Sequence, residues 1–161
     1  MIQRLVIATH NVKKGGEMLT ILGRALPGIE LLTLNDFPSH PEPEETGATY
    51  EENAAIKAVA AASHTGEWCL ADDAGLEIDA LPGELGVFSK RFAGEETPFP
   101  DKMAIILERM SGLPLEARGA RFRCLVALSG PGGSPVTLFE GVCPGVIAQE
   151  SSGSGGFGYD P

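Results

Sequence analysis

Ile2-Gln3-Arg4-Leu5-Val6-Ile7-Ala8-Thr9-His10-Asn11-Val12-Lys13-Lys14 is the stretch on which the fold class turns. The apolar run to Ala8 predicts a short buried strand, because it is continuous rather than alternating. A helix is expected from Val12 to about Leu26, with Met18, Leu19, Ile21, Leu22 and Leu26 as its apolar stripe. Asn11 suits the N-cap, since its side chain can accept from an amide of the first turn. Gly15 and Gly16 should each weaken that turn by roughly 1 kcal/mol relative to alanine. Ile29 to Leu34 reads as the next strand. A strand, a helix and a strand in this order form the unit from which parallel sheets are built.

Further along, Asn35 to Gly47 is a loop with three prolines and the acids Glu42, Glu44 and Glu45. Thr49 and Glu52 fit a capping box, and the alanine-rich segment to about His64 is a helix. Trp68 to Ala71 and Leu76 to Ala80 read as two strands, and Pro82 to Gly94 as a loop. Asp101 to Met110 is a third helix. Arg121 to Leu128 and Val136 to Phe139 flank a Pro131-Gly132-Gly133 turn, and Gly141 to Gln149 extends the second arm with a bend near Pro144. Alternation first and a hairpin later give an α/β domain with a mixed sheet. One domain over residues 1–161 accommodates the whole chain.

Composition limits the function. The 161 residues carry 22 acidic and 12 basic side chains, a formal net charge of -10. Such a balance excludes a broad nucleic-acid surface, though a few lysines beside a divalent cation can still hold a small anion. The cysteines Cys69, Cys124 and Cys143 are odd in number, widely spaced and set in apolar stretches. They read as three buried, reduced thiols. No run approaches the roughly 18 apolar residues of a membrane span, and no signal peptide precedes Ala8. A cytoplasmic protein without a membrane is expected.

Three segments carry chemistry. Thr9-His10-Asn11-Val12-Lys13-Lys14 is a strand-to-helix turn, whose amides and lysines suit an anion; solvated lysines explain it equally well. Ala71-Asp72-Asp73-Ala74-Gly75 sets two acids directly after a buried strand. It is either a turn capped by aspartate or part of a site completed by Glu42, Glu44 or Glu45, with hard oxygens suited to Mg²⁺. Phe88-Ser89-Lys90-Arg91-Phe92 is either a substrate wall or a set of snorkelling cations. His10, His40 and His64 show no ligand spacing. The terminal Gly153-Ser154-Gly155-Gly156-Phe157-Gly158-Tyr159-Asp160-Pro161 has the glycine spacing of a dinucleotide fingerprint without the helix that must follow it, so a dehydrogenase reading fails.

Taken in order, these segments resemble the inosine triphosphate pyrophosphatase family. The matching pieces are Thr9-x-Asn11-x-x-Lys14, Glu45-Thr46-Gly47-x-Thr49 with Glu52-Asn53-Ala54 and Lys57-Ala58, and Ala71-Asp72-Asp73-x-Gly75-Leu76. They continue with Gly86-Val87-Phe88-Ser89-x-Arg91-Phe92-Ala93-Gly94, Ala120-Arg121-Phe122, and Gly155 to Pro161. The resemblance implies a two-lobed α/β fold on a long mixed sheet with flanking helices, an active-site cleft between lobes, and a homodimer. It implies hydrolysis of ITP, dITP or XTP to the monophosphate and pyrophosphate with Mg²⁺. By position, Thr9, His10, Asn11, Val12, Lys13 and Lys14 would hold the triphosphate, with Lys57 and Lys90 as further phosphate contacts. Glu45 and Asp73 would hold the metal, and Asp73, with its pKa depressed by the metal, would accept the proton of the attacking water. Phe157, Gly158, Tyr159 and Asp160 would line the base and sugar pocket.

Three departures accompany the resemblance. His10 stands where a small residue or asparagine is usual. Ala74 replaces a serine or threonine, and so loses a hydroxyl contact to substrate. The family also continues past its Asp-Pro with a strand, a helix, a lysine and a Ser-His-Arg motif that reads the purine; the chain is therefore expected to be truncated at its C-terminus. Two rival readings follow: a nucleotide-binding module of this fold with little turnover, and a relative acting on modified pyrimidine nucleotides.

Overall fold

The computed structural model describes residues 2–37 and 43–161. His40 and Glu42, named above, lie outside the described residues. Strands β1 (Arg4–Ile7), β2 (Glu30–Thr33), β3 (Trp68–Ile78), β4 (Gly119–Ser129) and β5 (Val136–Val146) alternate with helices α1 (Val12–Ala25), α2 (Tyr50–Thr65) and α3 (Phe99–Arg109). The sheet order is β2-β1-β3-β4-β5. β1 pairs in parallel with β2 and with β3. The Asp79 amide donates to the Gly119 carbonyl at 2.9 Å, and Arg121 sits opposite Glu77, so β4 runs antiparallel to β3. The sheet is mixed, as the sequence pattern predicts.

Two compact units form: residues 1–73 with 125–140, and residues 74–124 with 141–161. In the first, Leu5, Val6 and Ile7 of β1 are buried, as are Ala54, Ala58, Ala61 and Ala62 of α2. Alanine lets the helix lie close to its neighbours. In the second, Leu76, Ile78, Leu81, Leu85, Phe92, Ile106, Met110 and Ala120 make a core. Arg118, 3% exposed, donates to the carbonyls of Met110, Ile147 and Ala148, which leaves its guanidinium satisfied inside that unit.

Several expectations are corrected. The two strands foreseen around Asp72-Asp73 are one continuous strand, and the acids do not break it because each finds a lysine. β5 is a single strand from Val136 to Val146 and passes through Pro144, so the second arm is extended as expected but ends at Val146 rather than Gln149. It stands at the end of the sheet order, where a missing N–H on the outer side costs nothing. Ile21, assigned to the apolar stripe, is 65% exposed, while Met18, Leu19, Leu22 and Leu26 are half-buried. Glu52 reaches back to the Ala48 amide at 2.7 Å, one residue before the Thr49 cap. Of the three cysteines only Cys69 is buried; Cys124 is half-buried and Cys143 exposed, because every residue of β5 is exposed on both faces of that strand.

The two glycines at the head of α1 differ. A Cβ on Gly15 would meet the Thr9 methyl at 3.3 Å, whereas one on Gly16 meets nothing within 4 Å. Gly16→Ala should therefore stabilise the protein by about 1 kcal/mol and raise the melting temperature by about 2–4 °C. Thermal unfolding by circular dichroism checks this, and a fall would show that α1 needs the glycine there.

Candidate functional site

The first unit holds most of the expected site. Asn11 caps α1: its side chain accepts from the Lys14 amide at 3.1 Å, and its own amide donates to the Thr9 hydroxyl at 3.2 Å. The turn from Thr9 to Lys14 thus leaves β1 in one defined conformation. His10, Val12 and Lys13 are exposed around it, with Val12 82% accessible. An exposed helix start of this kind favours negative charge.

β3 runs alongside, and its two acids point to opposite faces as neighbours on a strand must. Asp72, 5% exposed, takes the Lys14 ammonium of α1 at 2.6 Å. Asp73 faces α2, on the same side as Cys69, whose sulfur lies 3.2 Å from the Thr65 hydroxyl. The Lys57 ammonium of α2 lies 3.3 Å from Asp73 Oδ1 and 2.8 Å from Glu45 Oε1. Glu45 and Asp73, 28 residues apart in sequence, therefore meet at one cation.

Asn53 completes this arrangement. It is fully buried, accepts from the Gly47 amide at 2.8 Å and donates to Asp73 Oδ2 at 3.2 Å. A Cβ on Gly47 would lie 2.6 Å from Asn53 Oδ1, so only glycine lets the loop carrying Glu45 approach. The sequence reading assigned Asn53 no role. One signal was available: Asn53 and Lys57 stand four residues apart and share a face of α2.

Electrostatics follow from the count of charges. Burial disfavours the Lys57 ammonium, but Asp73 and Glu45 outweigh it, and its pKa rises. Burial pushes the Asp73 carboxyl up, Glu45 adds to that, and Lys57 offsets only part of it. Asp73 shares its lysine with Glu45, so Lys57 offsets only part of the cost of ionising Asp73.

The donor chemistry suits a hard divalent cation. Two carboxylates already converge on a positive charge, and Mg²⁺ takes one or two carboxylates, with water and phosphate oxygens for the rest. Among the described residues no group of three or more His, Cys, Asp or Glu gathers as a ligand cage.

The remaining expected residues, Ala74, Lys90 and Phe157 to Asp160, belong to the second unit. Ala74 is exposed on β3, and Lys90 is exposed after the turn Gly86–Phe88. Asp160 folds back to accept from the Phe157 amide at 2.9 Å, closing a tight turn through Gly158, which has φ +68°. Phe157 is half-buried. Tyr159 points into the unit, its hydroxyl donating to the Ser89 carbonyl at 2.7 Å and its ring edge-on to Phe99 with centroids 5.0 Å apart.

A model of the Ham1 family matches residues 5–161. The chain belongs to the Ham1 family. A dITP/XTP pyrophosphatase of Geobacter sulfurreducens is 49% identical over 158 residues, covering 98% of this chain and 78% of the relative. A dITP/XTP pyrophosphatase of Desulforamulus reducens is 47% identical, covering 98% and 77%. The solved structure of a HAM1 protein from Coxiella burnetii superposes with a TM-score of 0.85 at 41% identity, covering 100% of this chain and 80% of that one. The family reading of the ordered motifs is thereby borne out.

Within this Ham1 chain Tyr159 gives a direct titration test. Burial pushes its phenol up from 10.0 to about 12. The neutral phenol is the form the fold prefers, so its stabilising share is complete below pH 10 and is lost as pH rises towards 12. Spectroscopic titration of wild type against Tyr159→Phe should show a late tyrosinate step that the variant lacks. An unchanged titration curve in that variant would contradict the buried hydroxyl.

Proposed function

We propose that this Ham1-family chain is a hydrolase that converts non-canonical purine nucleoside triphosphates, ITP, dITP and XTP, to the monophosphate and pyrophosphate. The observation that carries the reading is the convergence of Glu45 and Asp73 on one cation, in the same unit as a helix start that suits phosphate. The names of the relatives, dITP/XTP pyrophosphatase, supply the substrate class.

The Thr9-to-Lys14 turn binds the triphosphate through the α1 amides and Lys13. Lys14 is held on Asp72 and adds its charge from there. Lys57 contributes charge at the acids, and Lys90 is a further phosphate contact. Glu45 and Asp73 would hold Mg²⁺, which when bound neutralises phosphate charge and orients the attacking water. Asp73 takes the proton of that water as general base. The water oxygen forms a bond to the α-phosphorus, the bond from that phosphorus to the bridging oxygen breaks, and pyrophosphate departs. Asn53 holds Oδ2 of Asp73, which fixes how the carboxylate presents its other oxygen.

Phe157 offers a purine its aromatic face, and the Asp160 turn holds that residue in place. Free nucleotide is the substrate rather than nucleic acid, consistent with the net charge of -10. A homodimer in the cytoplasm belongs to the same reading and rests on the motif resemblance; no described helix is long and apolar enough to cross a membrane.

With Mg²⁺ present, pyrophosphate should be released from ITP, dITP and XTP much faster than from ATP and GTP. Release of single phosphate, or equal rates on ATP, would overturn the assignment. Asp73→Asn should lower kcat by at least about 100-fold, the usual worth of a general base, while nucleotide still binds. Full turnover in that variant would remove Asp73 from its role.

A further inference from the structure

Both oxygens of Asp73 are held, but by groups of different kinds. Oδ1 lies 3.3 Å from the Lys57 ammonium, which also reaches Glu45 Oε1 at 2.8 Å. Oδ2 accepts from Asn53 at 3.2 Å. Asn53 has a short side chain, is fully buried and is tied a second time by the Gly47 amide, so it stays in place. Lys57 carries its charge on a flexible stem, and its side chain keeps 15% of its surface open to solvent. Its ammonium can leave the acids with no movement of α2.

Charge decides what can replace it. Burial works against the Lys57 ammonium, while Asp73, Glu45 and, from the other face of β3, Asp72 favour it. Asp72 has a cation of its own in Lys14, at 2.6 Å. These three carboxylates and two ammoniums leave one negative charge over, and without Lys57 there would be two. A divalent cation on Glu45 and Asp73 would draw on the same two carboxylates that hold Lys57. Positive charges brought that close repel strongly in a half-buried site, where the effective dielectric is well below that of water.

We propose that Lys57 competes with the divalent cation for Glu45 and Asp73: its ammonium holds the two carboxylates together and is displaced when a metal ion binds them. The inference rests on the reading of Glu45 and Asp73 as the cation site. It gives Lys57 a task at the carboxylates that is separate from any contact with phosphate. The ammonium keeps two acids near one another that would otherwise repel, and the work of expelling it weakens the hold on free metal ion. Removing the ammonium should therefore tighten metal binding. A residue that only helped to build the site would have the opposite effect.

The test is Mn²⁺ binding without nucleotide, read by electron paramagnetic resonance of the free ion, on wild type, Lys57→Met, Lys57→Arg and Asp73→Asn. Lys57→Met should bind Mn²⁺ at least about tenfold tighter than wild type, and Lys57→Arg, which keeps the charge, within about threefold of it. Unchanged or weaker binding in a folded Lys57→Met protein, or equal tightening in Lys57→Arg, would overturn the proposal. If Lys57→Met does not fold, wild type decides. Amine labelling of Lys57, read by mass spectrometry, should rise several-fold on saturation with Mn²⁺, because the ammonium has left its carboxylates; labelling that stays flat would overturn the proposal. Asp73→Asn separates the two readings. Mn²⁺ held by that variant as tightly as by wild type would refute the cation site itself. Weaker binding in Asp73→Asn with no tightening in Lys57→Met would refute only the competition.

Discussion

One ammonium between two carboxylates organises the first unit. Glu45 lies on an irregular segment and Asp73 on a strand, and each is mostly removed from water. Brought together alone they would repel in a medium where repulsion is stronger than in solution. Lys57 makes the approach possible, and Asn53, one helical turn earlier, fastens the loop through the Gly47 amide and the strand through Asp73. Helix α2 therefore does two jobs with residues of one face. It covers β3 with alanine, and it carries the polar pair that draws the loop in. The absence of a side chain on Gly47 belongs to the same device, since any Cβ there would collide with Asn53.

How much of this was legible in the chain depends on the range of the interaction. Local rules gave α1, its Asn11 cap and the start of α2 at Thr49 correctly, because caps and apolar stripes are settled within a few residues. The strand through Asp72 and Asp73 was misread as two because adjacent acids favour turns in isolation. Their partners, Lys14 and Lys57, arrive from 58 and 16 residues away, and no local rule sees them. The convergence of Glu45 and Asp73 came from the ordered motifs. Asn53 sat inside one of those motifs and still passed unassigned, because an asparagine in an alanine-rich helix gains meaning only once its partners are placed. The exposure of Cys143 escapes the sequence for a related reason: apolar neighbours in β5 suggest burial, yet every residue of that strand, on either face, is exposed.

The terminal glycines illustrate the same limit from the other side. Their spacing imitates a phosphate-binding loop, but geometry assigns them to a turn. Gly156 has φ +71° and is pressed by the Asp160 carboxylate, so a side chain has neither the backbone conformation nor the space. Asp160 closes that turn on the Phe157 amide, and Tyr159 anchors it on Ser89. Glycine spacing alone records where a chain bends. What the bend presents, here an aromatic ring and a carboxylate, is a separate property set by the residues between the glycines.

Lys57 and Lys102, one in each unit, are cations largely withdrawn from water. A buried ion pair is often no better for stability than apolar residues of equal volume, since desolvation consumes most of the attraction. Lys57 nevertheless sits between two acids and offsets only part of the cost of ionising Asp73, and Lys102 sits at a helix start that repels it. Neither position is explained by packing. What each cation holds is plain: Lys57 holds two carboxylates, and Lys102 a backbone carbonyl beside an exposed lysine. A group fixed before substrate arrives needs no reorganisation when charge develops, and that is where electrostatic catalysis gains most. The desolvation that makes these lysines costly to the fold is also what makes their fields strong where they act.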